Sequence, residues 1–295
     1  METTELSFTL TLLKWPIVSC LLLPGILVYY GLHIVRRGVI FVDLALAQVA
    51  TLGTCICIVL GHDPHDIHAY AWSVGFTLIG ALIFTLTRNT EKHRVPQEAL
   101  IGIVYVVAAA ASILLLNYSA EGNEELKRTL VGDVLTVSWG QIWKTFLLYL
   151  IIGTVHFVFR RQFIALSFNP EQARREGMRM RAWDFLFYAL FGLVVTSFVQ
   201  IGGVLLVFSF LIVPAVCANL LAVSLMAMLL VGYGIAAAAG VGGIAASYHF
   251  NLPMGAAIVC ALGVMLVLTA LVAKVRSPRP KAAQSSQVSQ KINHN

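Results

Sequence analysis

The sequence predicts an all-α, polytopic helical membrane protein, and three observations carry that prediction. The chain of 295 residues is 59% hydrophobic and only 12% charged, whereas soluble domains carry about 25% charged residues. Its apolar residues fall in blocks of about twenty, the length that crosses roughly 30 Å of hydrocarbon. The short alternating strands that a transmembrane barrel requires are not visible.

Nine spans are read from the blocks: 16–35, 38–60, 70–87, 98–116, 141–159, 182–199, 203–219, 225–248 and 254–273. Arg36-Arg37 forms a tight basic turn between the first two. The sixth and seventh meet across Gln200-Ile201-Gly202-Gly203, so a count of eight stays open. Met1–Leu13 lacks a basic leader and a small-residue cleavage site, so the first apolar block is expected to stay in the mature protein. Residues 1–274 are read as one transmembrane domain and 275–295 as a polar, Ser- and Gln-rich cytoplasmic tail of disordered character.

Alternating the loops from side to side sorts the basic residues sixteen against four. One side holds Arg36, Arg37, Arg88, Lys92, Arg94, the Arg160–Arg181 stretch and the tail; the other holds Lys14, Lys127, Arg128 and Lys144. The positive-inside rule then places the N-terminus outside and the C-terminus in the cytoplasm. The net charge of +6 follows from this topology and calls for no nucleic-acid partner.

Several classes drop out. No GxxxxGK[ST] loop occurs, so the chain is not expected to hydrolyse nucleotide itself. No HExxH, GxSxG or paired catalytic carboxylates occur, which disfavours an intramembrane enzyme. The five cysteines lie in or beside apolar spans, in an odd number and without a loop pattern, and read as small buried hydrophobes rather than a disulfide framework.

Asp43 is the residue that stands out. A charged group at mid-membrane costs about 2.5–3.5 kcal/mol on insertion scales, so such a residue is kept for a partner or a wet path. Counted from residue 38, Asp43 lies about 7–8 Å into its helix. Gln48, Thr51 and Cys55 share one face of the same helix, while Asp43 points roughly 140° from Gln48. Two readings stand: a path lining that includes Asp43 and Gln48, or interhelical hydrogen bonds with Asp43 paired to Arg36 or Arg37.

Three further stretches carry polar chemistry. The outer loop holds His62, Asp63, His65, Asp66 and His68, side chains that bind first-row divalent ions, in a spacing that matches no closed site. It reads either as a metal-collecting entrance or as a polar turn before the third span. In the long inner loop, Asn169 caps, Pro170 opens and Gly177 ends a short helix. It suits either lipid headgroups or a partner protein. The glycines of span eight suit close helix packing or a hinge, and His249 stands at that span's outer end. His33 and His156 look isolated.

Four stretches together resemble the permease subunits of bacterial ABC importers for zinc, manganese and iron(II), the ABC-3 metal permeases. They run from Arg37 through Asp43 and Gln48 to Gly53, from Asn169 to Gly177, from Gly203 through Pro214 to Ala218, and from Ser247 through Pro253 to Val259. The resemblance implies a plasma-membrane permease working as two copies, most simply a homodimer. It implies two cytoplasmic ABC ATPase subunits and an extracytoplasmic metal-binding protein. It implies a divalent metal as transported substrate with no permanent cofactor: zinc placed first, manganese or iron(II) as alternatives. A stand-alone secondary transporter or channel is the alternative of another class. Asp43, Gln48 and His249 then belong to the ion path, with the 62–68 loop at the entrance. Pro170, Glu171, Ala173, Gly177 and Asn219 fall where the ATPase would meet the permease. Zinc and manganese members typically carry a histidine one turn after the aspartate; here Ala47 occupies that position and Gln48 stands beside it in the histidine's role.

Overall fold

The computed structural model describes residues 2–63, 66–88, 95–117, 132 and 134–276, with side chains from residue 13 onward. These are helical throughout, without strands: α1 Glu2–Arg37, α2 Val42–Val59, α3 Ile67–Leu86, α4 Gln97–Leu116, a single 3-10 turn at Val134–Thr136, α5 Trp139–Val158, α6 Arg160–Phe168, α7 Pro170–Arg175, α8 Met180–Leu221, α9 Leu225–Phe250 and α10 Met254–Arg276. Most of the polar tail lies outside the described residues.

Eight of these helices are long and apolar enough to cross a membrane. The longest, α8, has 42 residues and would reach roughly 63 Å if straight, twice the hydrocarbon thickness. It is not straight. Gly203 sits at φ 70°, ψ 167°, a conformation open essentially to glycine alone. The rings of Phe198 and Phe210 meet across the bend, with centroids 6.4 Å apart. On the first arm, Phe191 packs on Tyr30 of α1. On the second, Leu211 and Ala215 press against the neighbouring Gly31, where a Cβ would strike the Leu211 carbonyl. Both arms thus pass the same level of α1 in opposite directions, and α8 supplies two crossings. Eight candidate spans are found among the described residues, and the junction that left the count between eight and nine is a glycine hairpin inside the longest of them.

The first turn differs from its expected position. Arg36 and Arg37 are the last turn of α1 rather than the connection. Gly38, at φ +66°, ends the helix, and Val39 N–H returns to the Ile34 carbonyl at 3.4 Å, a Schellman-type stop. Residues 38–41 make the turn, so α2 starts at Val42 and Asp43 lies in its first turn, not several residues deep. The inner stretch 160–183 is also more ordered than a loop. It forms α6, whose Phe163 and Leu166 are fully buried, and then α7.

Helices α1, α2 and α8 make the buried centre. The outward faces of α4, α5, α9 and α10 keep exposed residues such as Ile103, Leu150, Leu230 and Val267, as helices facing lipid do. The bundle has two distinct ends. Arg37, Arg88, Leu166, Ser167 and Asp184 meet at one, the basic end. At the opposite end Gly132 backs onto Gly202 and Gly203, and the rings of Trp15 and Trp139 lie 5.0 Å apart. Helix α9 runs against α1, Gly232 beside Val28 and Gly240 beside Cys20, which carries His249 to that opposite end. Loops sorted to one side by the charge count therefore meet at one end of the bundle.

Candidate functional site

A cavity of about 760 Å³ opens between α2, α3, α5 and the first arm of α8. At roughly 30 Å³ per water it has room for on the order of twenty-five waters. Its polar lining includes Thr51, Thr54, Ser73, Thr145, Thr196 and Ser197, and Asp66, Gln141, Lys144 and Gln200 stand towards the opposite end of the bundle. Thr51 donates its hydroxyl proton to the Ala47 carbonyl at 2.9 Å, one turn back. A hydroxyl so committed keeps lone pairs for an incoming cation. Thr77 and Thr196 share a hydrogen bond of 2.9 Å, tying α3 to α8 in the cavity wall.

The α2 residues singled out from sequence divide. Thr51 and Cys55 line the cavity, as does Ala47, the position where a histidine was looked for. Gln48 is buried and is not part of that lining. Asp43 is buried too, at 1% exposure, and no side-chain donor reaches its carboxylate. Pairing with Arg36 or Arg37 does not occur: Arg37 turns to Asp184, and Arg36 lies over the Phe168 ring at 5.5 Å. Asp43 lies roughly 12 Å along the helix from Thr51, towards the basic end. There Glu98, at the start of α4, accepts the Phe41 N–H at 3.1 Å.

At the opposite end, Asp66 caps α3 by accepting the Ile67 N–H at 2.6 Å and also stands in the cavity lining. The rings of His62 and His68 lie 5.0 Å apart, and His68 Nε2 is 4.0 Å from Asp66. Asp63 is exposed, and His65 lies outside the described residues. His249 is exposed beside Tyr248. Among the described residues, no group of three or more His, Cys, Asp or Glu side chains is arranged to hold a metal.

The basic end carries the inner segment. Pro170 opens α7, and Gly177 ends it at φ +76°, with Met178 N–H returning to the Ala173 carbonyl at 3.1 Å. Asn169 occupies the cap position but its side chain makes no cap hydrogen bond, contrary to expectation; its φ of −137° and ψ of 56° are not those of a capping residue. Ala173 is buried, whereas Glu171, Arg174 and Arg175 are exposed. Asn219 donates to the Ala215 carbonyl at 2.8 Å inside α8, two residues before that helix ends.

Sequence reading missed a buried polar cluster beneath this segment. His156 lies between two tyrosines, Tyr29 at 3.0 Å and Tyr30 at 2.8 Å. His33 Nδ1 meets Ser167 Oγ at 2.8 Å, and that oxygen also accepts from Arg37 Nε at 2.8 Å. Arg37 then donates to Asp184 at 3.1 Å, and Arg88 donates to the same carboxylate oxygen. Asp184, like Glu98, falls at the first residues of a span, where a carboxylate is easily taken for a flank. The signal available was Asp184 itself, an acid amid Trp and Phe.

Comparison with known proteins agrees with this architecture. The model of the ABC 3 transport family matches residues 9–273. The manganese transport system membrane protein MntC of Listeria innocua is 28% identical over 243 residues, covering 82% of this chain and 84% of that one. The manganese import system permease protein ScaB of Streptococcus gordonii is 26% identical over the same shares. A protein of Haemophilus influenzae described as a probable iron transport system membrane protein is 28% identical over 63% of this chain. The solved structure of PsaBC from Streptococcus pneumoniae, in complex with Fab, superposes with a TM-score of 0.75 at 24% identity, over 90% of this chain and 95% of that one. The chain belongs to the ABC 3 transport family: it is a multi-pass permease subunit of a metal importer in the bacterial plasma membrane, with ATP hydrolysed by a separate subunit.

Proposed function

We propose that the chain carries manganese inward, taking the ion into the cavity from the extracytoplasmic side and releasing it at the basic end. The observation that carries this reading is that the polar groups in the cavity wall are mainly oxygen donors, from Thr51, Thr54, Thr145, Thr196, Gln200 and Asp66, with no imidazole among the described lining residues. Hydroxyl, amide and carboxylate oxygens suit manganese, whereas zinc favours imidazole and thiolate. The names of the relatives point the same way, to manganese and in one case iron. Zinc, placed first from sequence, receives no specific support. Cys55 is the one thiol in the lining.

In this reading the basic end is cytoplasmic, as the sixteen-to-four distribution of Lys and Arg requires. The 62–68 loop and His249 stand at the entrance. The ion is passed among weak oxygen sites rather than held, and Asp43 receives it near the exit; Gln48, outside the lining, acts only if the wall rearranges. Two permease copies, two ATPase subunits docking on Pro170–Gly177 and the turn after Asn219, and an extracytoplasmic metal-binding protein complete the importer.

Thiol labelling tests this. Thr54→Cys, in a background freed of the natural cysteines, is expected to react with a membrane-impermeant reagent added outside, and manganese is expected to slow the reaction. Labelling only from the cytoplasmic side, or none, would overturn the assignment.

A further inference from the structure

Asp184 accepts from two guanidinium groups on the same oxygen, Arg37 from the end of α1 and Arg88 from just past the end of α3. The side chains of Arg37 and Asp184 are 3% and 1% exposed, and that of Arg88 is 23% exposed. Arg37 also lies 3.6 Å over the Phe187 ring. Both arginines reach the inner segment: Arg37 Nε donates to Ser167 Oγ at 2.8 Å, and Arg88 Nη2 to the Leu166 carbonyl at 3.3 Å. One carboxylate thus gathers α1, α3, α6 and α8 at the basic end.

Two of these elements, α3 and α8, also line the cavity at the other end. Ala69, Tyr70 and Ser73 of α3 face Thr196, Ser197 and Gln200 of α8 there, roughly 18–24 Å along α8 from Asp184. The two helices are therefore tied at the basic end by Arg88–Asp184 and again at the cavity wall by the 2.9 Å Thr77–Thr196 hydrogen bond, and the cavity opens beyond that second tie.

We propose that Arg37, Arg88 and Asp184 are positioning residues for transport, a latch that shuts the basic end while the cavity stands open and that passes movement of α6–α7 to the cavity walls. Its halves are unequal. Parting Arg88 leaves Asp184 still paired with Arg37, so α3 can leave α8 without stranding a buried charge. Parting Arg37 as well would strand one, the outcome that makes broken buried pairs so costly. The Arg88–Asp184 contact is the half that opens, and Arg37–Asp184 is the half that stays. The transmission step rests on the reading of α7 as the ATPase docking segment; the latch itself rests on the geometry alone.

The test uses the full permease–ATPase complex in lipid, with spin labels at Leu86 and Phe185, both exposed. Arg88→Gln is expected to keep the complex assembled, to shift the label separation towards longer distances without nucleotide, and to lower metal uptake per ATP hydrolysed by about tenfold, a coupling change of ordinary allosteric size. Arg88→Lys is expected to restore part of both. A merely structural contact would change yield and melting temperature but neither the separation nor the uptake-to-ATP ratio. Unchanged separation and ratio in an assembled Arg88→Gln complex would overturn the proposal. Should that variant fail to assemble, Ser167→Ala, which takes the α6 hydroxyl from Arg37 and His33 and leaves Asp184 paired with both arginines, is read by the same ratio, with loss expected and no change overturning it. Photo-crosslinking from position 171 tests ATPase docking separately, so failure of the docking assignment is distinguishable from failure of the latch.

Discussion

Phe198 and Phe210 touch, with ring centroids 6.4 Å apart, although a straight helix would hold them roughly 18 Å from one another. The contact exists because Gly203 turns the chain back between them. It places the cavity-lining residues Thr196, Ser197, Val199, Gln200 and Ile201 on the arm that leads to the hairpin tip, where Gly202 and Gly203 lie against the backbone at Gly132.

Gly203→Ala is therefore expected to destabilise the permease by about 1–3 kcal/mol, the usual cost of a side chain in such a backbone conformation. Thermal unfolding of the purified protein in detergent measures this. A melting temperature equal to that of the parent would contradict the hairpin.

Tyr30→Phe removes the 2.8 Å partner of His156 Nε2 and leaves a buried ring nitrogen without it. Stability should fall by about 1–3 kcal/mol, the cost of an unsatisfied buried polar group. Tyr29→Phe should cost less, because that bond is longer and only part-buried. Chemical denaturation of the two variants side by side checks the order.

Lys144 and Asp66 both line the cavity, so a positive charge stands where a cation is proposed to enter. Lys144→Gln should lower the apparent KM for the ion roughly two- to fivefold, the equivalent of an exposed charge contact of ~0.5–1 kcal/mol. The effect should shrink at high salt. Uptake at two ionic strengths reads both; a raised KM would speak against the cavity as the entry route.

Asp43 has no side-chain donor to lose, and asparagine has its shape. Asp43→Asn should leave assembly with the ATPase unchanged while cutting metal uptake by about tenfold or more, the effect of deleting a charge that the ion meets in a low-dielectric passage. Co-purification and uptake are measured on the same preparation; full uptake would remove Asp43 from the path.

The crossings were legible in the sequence because hydropathy and the distribution of arginines and lysines follow directly from the bilayer. The α8 hairpin was legible as an uncertain junction, since Gly202-Gly203 permits a bend without announcing one. Helix α6 was not, because it opens with Arg160-Arg161 and its buried Phe163 and Leu166 are too few for an apolar block. Asp43 drew attention by its isolation, yet its burial without Arg36 or Arg37 depended on where Gly38 ends α1. The Arg37–Asp184–Arg88 cluster was invisible for a different reason: its members come from three separate helix ends, and only tertiary packing brings them together.

The proposed passage of manganese is tested most directly by uptake of radioactive manganese into vesicles that hold the permease with its ATPase subunit and receive the metal-binding protein outside. The account predicts ATP-dependent accumulation that unlabelled manganese suppresses at lower concentration than zinc does. Accumulation without ATP, or suppression by zinc at the lower concentration, would contradict it.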